Sequence, residues 1–267
     1  MSASENTQKL RELFTVTSKQ FSLRGILCVT CYEPVYNALM QVQKEHLKMI
    51  TGIRHTEFMK NGFIVSIAYA YPEGIIENIG LCNEGVFDID AWNIYAKWYQ
   101  KLNYTLNETA NRIAKKFNGI PLPATSEGIS KKVESVKDYF PTTVSHRVHA
   151  EQSGIGWRGR NSLIINPVYS CTIRLAGVIT SIPLIVTPKL EADCGNCTSC
   201  LDVCTFLRHK DKLDDYREQC LAYINWLSLD DEVCGKCIKA CVNSPRMNTL
   251  ESTSELDLSP LFYTKPI

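Results

Sequence analysis

CGNCTSCLDVC at residues 194–204 and CGKCIKAC at residues 234–241, with a lone Cys220 between them, put eight of the chain's twelve cysteines inside 48 residues. Written as ligands, the order is Cys194-x2-Cys197-x2-Cys200-x3-Cys204, then Cys220, then Cys234-x2-Cys237-x3-Cys241. That is the ligand count of two 4Fe-4S clusters. The spacing is that of interlocked runs in which three cysteines hold one cubane and the fourth reaches across to the other. The second run is a shortened copy of the first, and Cys220 replaces its missing member. By that rule Cys194, Cys197, Cys200 and Cys241 hold one cluster, and Cys204, Cys220, Cys234 and Cys237 hold the other. Clusters held in this way lie roughly 10 to 12 Å apart, a separation across which electrons pass.

Zinc and disulfides use cysteines differently. A zinc ribbon is built from two Cys-x2-Cys knuckles, whereas the triple run followed by x3-Cys has the stagger that a cubane corner requires. Disulfides need an oxidising compartment. Residues Met1 to Arg11 (MSASENTQKLR) are polar, with no apolar h-region and no twin arginine, so the expected location is the cytoplasm. The Asn-x-Thr triplets at Asn103, Asn107 and Asn196 are then not glycosylation sites. Thr205 and Val242 follow the two runs where ferredoxins carry proline, which loosens the turn without removing a ligand. Residues 189–247 thus read as a small ferredoxin-like domain with two clusters, followed by a tail, 248–267.

With 267 residues, 45% of them apolar, and a net charge of +1, the chain can bury one sizeable core beside that small domain. No apolar stretch reaches the roughly 18 to 20 residues that span a bilayer, so no membrane partner is expected. Twenty-nine basic residues against 28 acidic ones, spread along the chain, give no clear nucleic-acid footprint. Lys115-Lys116 and Lys131-Lys132 are local exceptions of the kind that usually face solvent. Of the other cysteines, Cys28, Cys31, Cys82 and Cys171, the pair Cys28-Val-Thr-Cys31 lies in an apolar stretch and reads as buried thiol rather than a redox pair.

Residues 1–188 alternate helical and strand patterns. Leu10, Leu13, Phe14 and Val16 predict an N-terminal helix across Glu5 to Lys19. Leu39, Val42, His46, Met49 and Ile50 predict a second from Asn37, closed by Gly52, with His46 a face residue. Phe63 to Tyr71 (FIVSIAYAY) reads as a buried central strand. Asp88 offers an N-cap for a long helix through Phe117, closed by Gly119. Ile120 to Ser126 is too rich in proline for anything but an edge segment. Thr142 to Ser153 predicts a helix ended by Gly154, and Asn161 to Ile165 with Ile173 to Thr180 a strand pair leading into the cysteines. The expected class is an α/β or α+β core.

AEQSGIGWRGRNSL, residues Ala150 to Leu163, resembles the A-E-x-A-G-L-G-W-x-G-K/R-N-x-L segment of the epoxyqueuosine reductases. The likeness continues through Leu175 to Leu184, the first cysteine run, Cys220-Leu-Ala-Tyr-Ile224 and the second run, so that it extends from about Phe63 to Arg246. The resemblance implies a nitroreductase-like core shared with reductive dehalogenases. It also implies a base-off cobalamin fed with electrons by the two clusters. The glycine-interrupted loop then supplies the cofactor contacts Trp157, Arg158, Gly159, Arg160, Asn161 and Ser162. From the residues alone, the same loop also reads as a strained connector with Trp157 in the core. No histidine sits in an Asp-x-His-x-x-Gly segment, in keeping with cobalt that has no such lower ligand.

Three departures separate the chain from that family. Its D-S-A-P-V-L-E-R stretch, with the proton-donating aspartate, corresponds to Asp138-Tyr-Phe-Pro-Thr-Thr-Val-Ser-His-Arg147, where an ungapped count sets Phe140 at the aspartate and Asp138 fits only with a two-residue shift. Asp138 and Tyr139 are both candidates for the acid. The family's larger members continue into a helical-repeat domain that helps to hold tRNA, while this sequence runs only 26 residues past Cys241. The third departure is the balanced charge, which does not advertise tRNA. The expected function is a reductase passing electrons from clusters to base-off cobalamin, with a ferredoxin or flavodoxin as donor. Its substrate is a small molecule, a nucleoside or a corrinoid protein awaiting activation. The rivals are an electron-transfer protein without catalysis and a core that holds flavin.

Overall fold

Five antiparallel strands in the order β3-β6-β2-β1-β7 form the sheet around which the chain is built. They are β1 (Gly25–Cys31), β2 (Phe63–Ala70), β3 (Ile120–Leu122), β6 (Ile173–Thr180) and β7 (Phe262–Thr264). The architecture is seen in a computed structural model that describes residues 2–77, 79, 88–125, 135–231, 233–252 and 256–264. Cys82 and the Lys131-Lys132 pair lie outside the described residues. A sheet that is antiparallel throughout makes the core α+β, the second of the two expected classes.

The central strand is the one with the longest apolar run. β2 is flanked by β1, with Gly25 opposite Tyr69, and by β6, with Phe63 opposite Thr180. Both faces are covered, so its residues are buried in succession rather than in alternation. Alternate side chains go to different layers. Leu27, Val29, Val65, Ile67, Tyr69, Ala176 and Val178 pack with Leu10 and Phe14 of α1 (Ala3–Phe21) and with Leu102, Leu106 and Ile113 of α5 (Ile89–Lys116). On the other face, Ile26, Cys28, Ala68 and Ala70 pack with Ala150 of α7 (His146–Gln152). Beside them Ile64 and Ile179 meet Tyr32 and Val35 of α2 (Tyr32–Ala38), Leu47 of α3 (Gln41–Thr51) and Phe58 of α4 (His55–Asn61).

Helix ends follow local chemistry. Ser2 and Glu5 close a capping box on α1, and Asp88 accepts from the amides of Asp90 and Ala91 at the start of α5. The second predicted helix is divided: α2 stops at Leu39 and α3 begins after Met40, both in extended conformation. Gly52, at φ +53°, ends α3 as expected. The predicted helix over 142–153 is shorter, because Phe140–Thr142 forms a 3-10 turn and α7 starts only at His146.

The expected pairing of 161–165 with 173–180 is not formed. β6 belongs to the main sheet, and β5 (Ile164–Ile165) pairs instead with β4 (Trp157–Arg158) as a small ribbon. Six short helices carry the remainder: α6 (Val136–Tyr139), then α8 (Ser199–Asp202), α9 (Thr205–Arg208), α10 (Tyr216–Leu227), α11 (Lys236–Val242) and α12 (Pro245–Ser252) around the cysteines. The C-terminal segment then returns to the core, where β7 pairs with β1, Gly25 opposite Thr264. Among the described residues no helix is long and apolar enough to cross a membrane.

Candidate functional site

The eight cysteines gather as two sets of four. Burial pushes the Cys200 thiol up to about 11, and Cys241, Cys194 and Cys197 beside it add to the rise. Burial likewise lifts Cys234 to about 12, with Cys220 and Cys204 adding to it, and Cys220 to about 11, with Cys204 adding. Cys237 is raised well above the ordinary thiol range by burial, then by Cys234, Cys220 and Cys204, and last by Cys200. Packing of α8 against α11 brings the end of the second run to the first, while α10 carries Cys220 toward Cys204. The sets approach each other where Cys237 feels Cys200.

Burial raises the thiols of Cys200, Cys220, Cys234 and Cys237, while hydrogen bonds from Cys171 and Ser170 hold Cys241 down to about 7, and a bound metal cluster would convert such thiols to thiolates. Among the described residues no three His, Cys, Asp or Glu side chains converge tightly enough to hold a single metal ion. Four zinc-bound thiolates would stand about 3.8 Å apart, given Zn–S bonds of about 2.3 Å.

The second set opens on a cavity. Cys204, Cys220, Cys234 and Cys237 line a chamber of about 1040 Å³ between the core and the cysteine region. Its other walls come from α5 (Tyr95, Tyr99), α6 and the following turn (Tyr139, Phe140), α7 (Arg147), β6 (Arg174) and α10 (Tyr216, Arg217, Tyr223). A smaller chamber of about 240 Å³ adjoins it and shares Tyr95, Tyr99, Tyr139, Arg147 and Arg174. Steps of four along α5 set Tyr95, Tyr99 and Asn103 on one face, toward β6. Asn103 Oδ1 accepts from Arg174 Nε at 3.0 Å, and the Arg174 guanidinium lies 4.1 Å from the centre of the Tyr99 ring.

Charge in the chambers is mostly positive. Arg147, Arg174, Arg217 and Lys236 line the larger one, against a single described acid, Asp231. Arg217 is held by both oxygens of Asp215, whose carboxyl its hydrogen bonds keep below the usual range, and it lies over Phe140. Burial pushes the Tyr139 hydroxyl up to about 12, and it has no partner in hydrogen-bonding geometry. A phenol in that state keeps its proton at neutral pH.

The loop residues expected to touch a cofactor divide. Asn161 lines the larger chamber. Trp157 is only 3% exposed and belongs to the core cluster beneath the sheet, its indole nitrogen without a hydrogen-bond partner. Arg158 pairs with Glu151 at 3.0 Å on the surface, and Arg160 donates to Gly195 O at 2.8 Å, tying the loop to the first cysteine run. Gly159 packs under Ile165. Ser162 orients two cavity residues: its carbonyl accepts from Arg147 at 2.9 Å and its hydroxyl from Tyr216 at 2.6 Å.

The glycines of this loop serve packing. A Cβ on Gly154, at φ +80°, would stand 2.2 Å from Pro188 O, and one on Gly156 would stand 2.1 Å from Ile165 O. Gly154→Ala is therefore expected to cost about 2 kcal/mol or more, from overpacking added to a left-handed backbone. It should lower the thermal midpoint of the protein by roughly 5 °C.

Of the two candidate acids, Asp138 is exposed and lines neither chamber, while Tyr139, about 100° further round α6, turns inward. Arg174 and Arg147 escaped the sequence reading, although a lone arginine inside the apolar strand IRLAGVIT was a signal. Cys171 escaped it too: its thiol lies beside Cys241, whose sulfur also accepts from Ser170 Oγ at 3.4 Å.

No protein-family model matches the chain. It is similar to an epoxyqueuosine reductase of Bacillus anthracis, 30% identical over 144 residues, which are 53% of this chain and 34% of that one. An epoxyqueuosine reductase of Listeria monocytogenes is 29% identical over 177 residues, 61% of this chain and 42% of that one. The chain thus spans well under half the length of these relatives. A solved epoxyqueuosine reductase structure from Streptococcus thermophilus superposes on 89% of this chain and 65% of its own with a TM-score of 0.49, at 18% identity. The chain is epoxyqueuosine reductase-like in sequence, as the Ala150–Leu163 segment suggested.

Proposed function

We propose that this epoxyqueuosine reductase-like chain is an oxidoreductase. In this role its two cysteine sets hold 4Fe-4S clusters and its larger chamber holds a base-off cobalamin. The function rests on one arrangement, the opening of four cysteines of a single set onto a large, cation-lined chamber. When bound, the clusters supply single electrons and the corrinoid supplies low-valent cobalt. The donor set fits such a ligand: a corrinoid is broad and flat, fringed with amides and carrying one phosphate. The chamber offers Tyr95, Tyr99 and Phe140 as apolar walls and Arg217 and Lys236 as anion partners. No described residue lining the larger chamber is a histidine.

The chain's own residues then divide the work. Cys194, Cys197, Cys200 and Cys241 hold the outer cluster, which receives electrons from a ferredoxin or flavodoxin. Cys204, Cys220, Cys234 and Cys237 hold the one beside the cofactor. The core walls exclude water, and Tyr139 holds a proton at its Oη where a reduced substrate needs one. A tRNA-borne nucleoside, as the relatives' name suggests, and a small molecule are both substrates to be tested.

Anaerobic purification from cells supplied with iron and cobalamin tests this function. About eight irons and one cobalt per chain are expected, with a reduced-corrin band after dithionite. Eight irons without cobalt, even after cobalamin is added to the reconstituted protein, would leave a two-cluster electron carrier. Flavin absorbance in place of cobalt would move the chamber's ligand to flavin.

A further inference from the structure

Among the described residues that line it, the smaller chamber holds an excess of hydrogen-bond donors and no carboxylate. Arg147 and Arg174 line it, and neither makes an ion pair with any described residue. Arg147 gives one bond to Ser162 O and Arg174 one to Asn103, so most of the N–H groups on both guanidiniums are left over. Two phenol hydroxyls face the same space, Tyr71 beside Tyr95 and Tyr139 beside Thr143, and neither meets full hydrogen-bonding geometry with that neighbour. Tyr139 lines this chamber together with both cations.

Cations and buried donors without acceptors are costly unless something supplies the acceptors. The group that satisfies two guanidiniums and two phenols together is an oxyanion, with several lone pairs and a negative charge. The cavity's size bounds the molecule that carries it: about 240 Å³ admits roughly ten to fifteen non-hydrogen atoms at interior packing density.

We propose that the smaller chamber is the substrate subsite and takes a small organic oxyanion, a carboxylate or phosphate monoester, held between Arg147 and Arg174 with Tyr139 and Tyr71 donating. This deepens the cofactor assignment of the larger chamber and rests on it for the word substrate. The shared wall of Tyr95, Tyr99 and Tyr139 sets such a molecule next to whatever fills the larger space.

Titration calorimetry on the iron- and cobalamin-loaded protein tests it, with benzoate, phenyl phosphate and neutral benzamide as probes. At least one of the two anions is expected to bind with a Kd of about 1 mM or tighter, and benzamide about tenfold more weakly or not at all. Arg174→Gln and Arg147→Gln should each weaken the anion about tenfold or more. Arg147, nearer the surface loop, gives a variant that keeps its fold if Arg174→Gln does not. Arg112→Gln, an arginine that lines neither chamber and pairs with Gln20, should leave binding within about threefold. Whichever anion binds identifies the oxyanion class. No binding by either anion, equal binding of benzamide, or an equal loss of binding in Arg112→Gln overturns the subsite. Cobalt content of the same samples separates the two claims. A cobalt-loaded protein indifferent to both anions defeats only the subsite, and a cobalt-free one that binds benzoate through Arg147 defeats only the cofactor assignment.

Discussion

With two clusters held as proposed, Cys220→Ser is expected to leave about four irons per chain against about eight in the parent protein, and to stop electrons from reaching the larger chamber. Cys220 stands alone in sequence, yet α10 brings it to Cys204, and both line that chamber with Cys234 and Cys237. Removing one ligand from a set of four strips a cubane corner, and serine is a poor substitute for a soft thiolate. Cys197→Ser makes the contrast, because Cys197 belongs to the set around Cys200 and Cys241. It too should halve the iron, but it leaves in place the cluster that faces the cofactor. Dithionite added directly would then still reduce the chamber's ligand in Cys197→Ser and not in Cys220→Ser. Iron analysis with absorbance of the bound cofactor reads both effects, and retention of eight irons in Cys220→Ser would refute the division of ligands.

Much of this was legible in the sequence because it is written in spacing. The cysteine runs fix their own neighbours, since x2 and x3 gaps allow only short helical turns between ligands. Hydrophobic periodicity gave α5 nearly to the residue, from the Asp88 cap to Phe117, and FIVSIAYAY gave the central strand because a strand buried on both faces must be apolar throughout. Pairing partners were harder. Ile164–Ile165 and Ile173–Thr180 are both β-branched and close in sequence, yet Asn166 turns the chain so that the first meets Trp157–Arg158 while the second joins β2. The return of Phe262–Thr264 to the sheet edge had no local signal at all, being a contact with β1 some 240 residues earlier.

The site was less legible than the clusters for the same reason. A loop rich in glycine, arginine and tryptophan suggests ligand contact, but Trp157 is fully engaged in the core and Gly154 and Gly156 are there to let backbones approach. Tyr99, Tyr139, Arg147 and Arg174 come from four separate elements, α5, α6, α7 and β6, and no spacing rule connects them before the chain is folded. What links them is charge: a cation on an inner strand needs support, and Asn103 and Tyr99 supply it from the facing helix.

Behind this chamber lies a pair of histidines that should make the core sensitive to acid. His146 Nε2 is 2.7 Å from Pro123 O, His146 Nδ1 is 2.8 Å from His149 Nε2, and His149 Nδ1 is 2.8 Å from Ser66 Oγ. One proton order satisfies all three contacts. His146 donates to the carbonyl and accepts from His149, which in turn accepts from Ser66. Both rings are neutral in that order, and an added proton would place a charge in the buried core, with Ser66 turned to donate to His149 O at 3.2 Å. Burial accordingly pulls His146 down to about 4, with Arg174 lowering it further against the help of Pro123, and pulls His149 well below the usual range. The unfolded chain takes up protons near pH 6.5, where the folded one does not. Stability from the pair is therefore complete above about pH 6.5 and drains away as the pH falls toward about 4. His146 alone accounts for a loss of about 3 kcal/mol over that range. In thermal melts at pH 7 and pH 5, the parent protein should lose far more of its midpoint than a His146→Gln, His149→Gln double variant, which starts lower but titrates less. Acid damage to the clusters is common to both proteins and cancels in the comparison, so equal losses would show that the buried pair is not the acid-sensitive element.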